Sequence, residues 1–229
     1  MHFNKSKGAN EKGWKYNTDS TITKQEGSGN NWANGFLNHG PSIENKIVDK
    51  INKIAENYDY IDGIILINSL AGGTGSGLGS YSNIVVKDYF PVINLMNVSI
   101  WPHDTGEVIV NSYNTVLSIS ESYKVTLHYS LISLIHVNHM KVSDCMMLIR
   151  NQEIYDICKE IHKMEKISFD SLNHIISKSI ISATLPVINS SNKTINDFWK
   201  KSTPIETIID NLVEDPRFKF IRNVSLPEV

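Results

Sequence analysis

Cysteine is nearly absent: Cys145 and Cys158 are the only two in 229 residues. That is too few for the bridged framework of a small secreted domain, so the reading is reduced cytosolic thiols. Charge of one sign is also lacking, with 22 Lys and Arg against 24 Asp and Glu. The near balance excludes the broad basic face that nucleic acid requires. No run reaches the roughly 18 apolar residues of a membrane span. The opening residues Met1 to Gly8 lack the apolar core of a secretory signal, and sequons such as Asn97-Val98-Ser99 are then idle. A soluble, cytosolic chain with no nucleic-acid or membrane partner is expected. Its length has room for one or two domains around a sizeable core.

Glycine, by contrast, is concentrated. The stretch Ser69-Leu70-Ala71-Gly72-Gly73-Thr74-Gly75-Ser76-Gly77-Leu78-Gly79 follows an apolar run, Ile64 to Ile67, and precedes an amphipathic stretch from Tyr81 to Phe90. Strand, glycine turn and helix together aim backbone N–H groups and a helix start at a phosphate. Thr74 and Ser76 add hydroxyls. The Walker pattern fails because Gly72-x-x-x-x-Gly77 is followed by Leu78 and Gly79, with no lysine. The dinucleotide fingerprint fails too, its third glycine falling on Leu78 or on Ser80. A flexible glycine linker is the bland alternative, set against the strand that runs straight into the cluster.

The remaining pattern alternates strands with helices. Residues 1–25 are polar and aperiodic, and a second glycine-bearing loop spans Gly27 to Gly35. After Pro41, Ile43, Ile47, Ile51, Ile54 and Ala55 recur at helical spacing. A strand is expected at 63–68, then a helix from Gly77 that Pro91 stops, and a strand from Val92 to Ile100. Next come a helix carrying Tyr113, Val116, Leu117 and Tyr123, a strand from Cys145 to Ile149, and helices from Asn151 to Met164 and Phe169 to Ala183. Another helix at about 204–213 and a strand start at Phe218 close the pattern. This is an α/β reading: a parallel, Rossmann-like sheet with helices on both faces.

The segment Ala71-Gly72-Gly73-Thr74-Gly75-Ser76-Gly77 resembles the glycine loop of the tubulin family. Other segments resemble that family in the same order: Gly27-Ser28-Gly29-Asn30-Asn31-Trp32-Ala33-Asn34-Gly35, Asn111-Ser112-Tyr113-Asn114, Asn151 to Cys158, and Phe169 to His174. Trp14-Lys15-Tyr16, His39-Gly40-Pro41, Ile100-Trp101-Pro102 and Thr105 to Val110 are similar to its delta class. The likeness runs from Trp14 to about Asn223, interrupted at 125–141.

The resemblance implies a GTP-binding cytoskeletal protein of the delta-tubulin type, at work in microtubules, centrioles, basal bodies or axonemes of cilia and flagella. Its nucleotide would be GTP or GDP, with Ser28, Gly29, Asn30, Ser69, Gly72, Gly73, Thr74, Gly75 and Ser76 around the phosphates. Glu107 and Asn111 stand at the ribose positions, Asn111 replacing the usual acid. Asn151 and Asn173 would read the guanine edge, and Phe169 would stack on the base. Each has a bland alternative: a helix cap, a solvated polar face and core packing, respectively. Other tubulin subunits would be the partners, joined head to tail.

In this family a carboxylate from the next subunit positions the attacking water. The aligned position here is Thr207, with Glu206 beside it as the only candidate, so weak hydrolysis or none is expected. The family's first phosphate loop and the acidic loop that helps hold Mg²⁺ have no match, and the likeness ends soon after Phe218. The chain therefore reads as a partial product: a polar segment 1–25, a partial GTPase domain 26–203 with an insertion at 125–141, and 204–229 as core helix and start of the next domain. His128, His136 and His139 lie in the insertion without the Cys or carboxylate pattern of a metal site, so no metal ligand is assigned. The alternative from another class is a Rossmann-like enzyme using a mononucleotide on a small molecule. No triad or acid–base pair accompanies it.

Overall fold

The computed structural model describes residues 20–104, 109–133, 144–184, 204–215 and 219–222, with backbone alone for 123–133 and Pro204. Four strands, β1 (Gly63–Ser69), β2 (Asn94–Trp101), β3 (Cys145–Arg150) and β4 (Phe220–Arg222), form one sheet in that order. Every neighbouring pair is parallel. Strands of this kind need helical crossovers, and the alternating pattern supplies them.

The helices are α1 (Gly40–Ala55), α2 (Gly79–Tyr89), α3 (Asn111–Ser133), α4 (Asn151–Asp156), α5 (Phe169–Thr184) and α6 (Pro204–Leu212). Alternation along the strands divides the sheet into two faces. Met96 and Val98 of β2 and Cys145, Met147 and Ile149 of β3 pack with Ile154, Cys158, Leu172, Ile176, Ile205 and Ile209. That is the core between the sheet and α4, α5 and α6. On the opposite face Asn68 lies against Gly79 at the start of α2, where an added Cβ would come within 2.9 Å of the Asn68 amide nitrogen. Helices therefore cover both faces, as expected. Both cysteines are buried and free.

Three features go beyond the sequence reading and have physical causes. The second glycine-bearing loop is not irregular throughout: the chain is already helical at Trp32 and passes through a π-helical turn, Asn34–His39, into α1. Pro41 has no N–H to give, and the wider turn just before it, with Gly40 N–H bonded to Gly35 O, accommodates that loss. The glycine loop is likewise helical from Thr74, in a π-turn Thr74–Leu78 that leads into α2.

The third is α3, a helix that was expected. Its apolar residues Tyr113, Val116 and Leu117 face outward, 71%, 65% and 42% exposed, while Asn114, Thr115, Ser118 and Ser122 are buried. Small polar side chains allow that helix to sit close against the serine- and glycine-rich start of α2. Ser118 Oγ donates to the Ser76 carbonyl at 2.9 Å and lies 3.1 Å from Ser80 Oγ.

At the other end of the strands, Lys87 of α2 and Asp144 make a fully buried pair at 2.9 Å. The same carboxylate oxygen accepts the Leu95 N–H at 2.9 Å, so the charges are hydrogen-bonded as well as paired. Tyr123 shows backbone only, and Phe218 lies outside the described residues, β4 beginning two residues later.

Candidate functional site

The carboxyl ends of the parallel strands lie level with one another. Ser69 pairs with Ile100, and Trp101 with Arg150. Ligands of open parallel sheets bind beyond this edge, where the loops leaving the strands meet helix starts. The glycine loop leaves β1 here, the segment before Asn111 leaves β2, and Asn151 follows β3 directly.

Two loops are packed into one unit at the β1 end. Ser28 Oγ and Thr74 Oγ1 are 3.1 Å apart, bridging positions 46 residues distant in sequence. Gly73 makes the approach possible: a Cβ there would lie 2.6 Å from the Ser28 Cβ and 2.7 Å from the Asn31 nitrogen. Gly77 does the same one turn on, where a Cβ would meet the Trp32 carbonyl at 2.2 Å. The glycines thus serve loop-on-loop packing as much as approach to a ligand.

Gly29 and Asn30 are exposed on the outward side of the pair. Gly29 and Asn30 are both left-handed, with φ of 59° and 54°, and Gly72 has φ of 81°. Asn tolerates that conformation better than other non-glycine residues. Successive N–H groups in such a bend converge on one side, the arrangement that receives anions. Next to it an open cavity of about 450 Å³ is lined by Ser28, Gly29, Asn31, Ala33, Asn34, Leu37 and Asn38. Thr74 is exposed.

Not every serine faces out. The Ser69 hydroxyl accepts the Ala71 N–H at 3.2 Å, and the fully buried Ser76 hydroxyl donates to the Gly72 carbonyl. Their hydroxyls hold the shape of the loop. Asn111 opens α3, with its carbonyl accepting Thr115 Oγ1 at 2.8 Å. Glu107 lies outside the described residues.

Asn151 is the first residue of α4 and is half-buried. Phe169 is the first residue of α5, 66% exposed, with Asn173 exposed one turn further along the same helix. Residues four apart share a helix face, so ring and amide stand side by side. A cavity of about 410 Å³ adjoins the Phe169 ring, lined by His103, Gln152, Tyr155, Ile167, Ser168 and Leu172. His103 and Tyr155 meet edge to face there, centroids 6.1 Å apart. Sequence reasoning did not select these two, and no spacing in the chain marks them.

Glu206 stands elsewhere. It is exposed on α6, next to Ile205, whose N–H donates to Asp62 Oδ2 at 3.1 Å. Asp62 immediately precedes β1, so Glu206 belongs to the amino edge of the sheet. Burial pushes the Asp62 carboxyl up and the Glu206 charge adds to it, against hydrogen bonds from the Ile205 and Glu206 backbone. The length of β1 separates this edge from the glycine loop by about 20 Å.

Among the described residues, no group of three or more His, Cys, Asp or Glu is placed to hold a metal ion. No helix there is long and apolar enough to cross a membrane.

Comparison with known proteins shows the family. The family model described as Tubulin/FtsZ family, GTPase domain, matches residues 2–159. The tubulin delta chain of Canis lupus familiaris is 34% identical over 98% of this chain and 45% of its own length. The tubulin delta chain of Homo sapiens is 33% identical over the same shares. The human tubulin epsilon chain is 29% identical over 93% of this chain and 41% of its own. This chain spans less than half the length of these relatives.

Proposed function

The chain belongs to the tubulin/FtsZ family, and on that premise we propose that it binds GTP or GDP as a cytoskeletal protein of the delta-tubulin type. The observation that carries this reading is the joined pair of glycine-bearing loops at the carboxyl edge of the sheet, Ser28 against Thr74. The left-handed bend at Gly29 and Asn30 and the helix start at Thr74 suit an oxyanion. A triphosphate presents such oxygens, and the backbone N–H groups can hold them without a lysine. Asn151, Phe169 and Asn173 lie on the same edge and supply a donor–acceptor pair of amides and a ring face, which suits guanine. Asn111 would meet a ribose hydroxyl with a neutral amide, as would Glu107 with its carboxylate. Mg²⁺ would enter with the triphosphate, and no acidic cluster of the described residues is assigned to it.

Hydrolysis is expected to be slow or absent in an isolated chain. Glu206 sits on the opposite edge from the phosphate loops and reaches a phosphate only in a neighbouring subunit. That placement favours partners that stack head to tail, the carboxyl edge of one meeting the amino edge of the next. The outward apolar stripe of α3, beginning beside Asn111, favours association as well. Other tubulin subunits are the partners this reading names, and centrioles, basal bodies and the axonemes of cilia or flagella are where it places the protein.

Competition against a fluorescent guanine nucleotide tests the reading. GTP and GDP should displace the probe at least tenfold more effectively than ATP. ATP displacing it equally well would instead favour a mononucleotide-using enzyme. A phosphate-release assay should show turnover near background at low protein concentration; brisk turnover by dilute chains would contradict action in trans.

A further inference from the structure

We propose that Asn114 is a positioning residue for the phosphate site: its buried side-chain amide clamps the Gly29–Asn30 bend in the shape that receives the anion. This rests on the guanine-nucleotide reading and extends it to a residue outside the loops themselves. Asn114 lies in the first turn of α3 and is 4% exposed. Its Nδ2 donates to the Asn30 carbonyl at 2.7 Å, and its Oδ1 accepts the Trp32 N–H at 3.0 Å. One planar amide thus grips the backbone on both sides of Asn31.

The grip matters because of what it holds. Asn30 is a non-glycine residue with positive φ, next to a second left-handed residue, Gly29. Such a conformation costs on the order of 1 kcal/mol and persists where surrounding contacts over-determine it. Inside the loop the Asn31 N–H closes on the Ser28 carbonyl at 3.1 Å, and Asn31 Oδ1 accepts the Ala33 N–H at 2.9 Å. Those bonds are local. The bonds to Asn114 are the ones that tie the bend to the helix that follows β2, 84 residues away in sequence.

The chemistry distinguishes this role from general support. Asn114→Asp keeps an acceptor for Trp32 N–H but places a carboxylate oxygen against the Asn30 carbonyl. Asn114→Ala removes both bonds. In the full chain, Asn114→Asp should lower affinity for GTP at least tenfold while changing affinity for guanosine, which has no phosphate, less than twofold. Equal losses for GTP and guanosine, or no loss for either, would overturn the positioning role.

Amide hydrogen exchange gives a second readout that needs no nucleotide. Both variants should exchange faster at residues 28–36 while β2 and β3 keep wild-type protection; wild-type exchange at 28–36 would defeat the clamp. Should the unaltered protein bind no GTP, the guanine reading fails while the exchange result still decides whether Asn114 holds the loop.

Discussion

Single atoms decide much of this site, and the glycines show it best. Gly29 lies in the left-handed bend and Gly73 packs against it from the facing loop, yet the two should respond differently to a methyl group. At Gly73 the methyl would strike backbone of the facing loop at 2.7 Å, and backbone cannot swing aside. Gly73→Ala is expected to cost about 1–3 kcal/mol in denaturant melts and to abolish nucleotide binding by prising the loops apart. At Gly29 nothing lies within 4 Å, and the penalty is the left-handed φ of +59° alone, roughly 1 kcal/mol. Equal costs for the two variants would show that the loops are not packed as described.

Lys219 is the other residue whose chemistry is dictated by its surroundings. It is 2% exposed, with Nζ donating to the Ser122 carbonyl at 3.3 Å. Burial pulls its ammonium down from 10.5 to about 8, Asp144 opposing and Lys87 reinforcing the shift. Between those two values the unfolded chain holds a proton that the folded chain has released. The lysine's contribution to stability therefore rises with pH across that window. The Cys145 thiol, pushed up from 9.0 to about 11 by burial, contributes the opposite trend at slightly higher pH. Comparing Lys219→Met with the unaltered protein isolates the lysine. The variant should be more stable below pH 8 by on the order of 2–3 kcal/mol, and the advantage should vanish near pH 10.5. An advantage independent of pH would mean that the ammonium is not buried as described.

At the scale of elements, α3 is the helix that the sequence misleads on. Tyr113, Val116 and Leu117 mark it as a helix, but apolar residues at helical spacing ordinarily form the buried face. The helix instead buries Asn114, Thr115, Ser118 and Ser122. Ser118→Val should cost about 1–3 kcal/mol by removing a buried hydroxyl that donates to the Ser76 carbonyl at 2.9 Å and faces Ser80 Oγ, which donates to the same carbonyl at 2.7 Å. Val116→Lys should leave the melting temperature unchanged and weaken association of the chain with itself or with tubulin, read by sedimentation. A large loss of stability in Val116→Lys would place that side chain in the core after all.

The strands, by comparison, were legible almost residue by residue. Ile64 to Ile67 and the mostly apolar Val92 to Ile100 have the composition of strands in a parallel sheet; β2 is buried along most of its length, while β1 is half-buried with Ile67 59% exposed. The packing of the glycine-bearing loops was legible because glycine at Gly72, Gly73, Gly75 and Gly77 is a backbone requirement written directly into the chain. Asn114, His103 and Tyr155 were not legible. Their roles depend on which segments meet in space, 84 residues apart for Asn114 and Asn30, and an isolated Asn or His carries no spacing signal. The inward hydroxyls of Ser69 and Ser76 belong with these, since residue type marks a donor but not the direction in which it turns.

For the molecule as a whole, the parallel sheet has two unlike edges. One gathers the glycine-bearing loops, Asn111, Asn151 and Phe169; the other carries Asp62 and Glu206. On the proposed reading the first edge would hold the nucleotide and the second would offer the Glu206 carboxylate, so the two would be joined only between neighbouring subunits.

The most direct measurement is a titration of the isotopically labelled chain with GTP in the presence of Mg²⁺, followed by backbone amide chemical shifts. The account predicts saturable shifts that appear together at Ser28 to Asn31 and at Gly72 to Ser76, with ATP producing weaker ones. Shifts confined to one loop, or centred on the amino edge around Asp62 and Glu206, would contradict it.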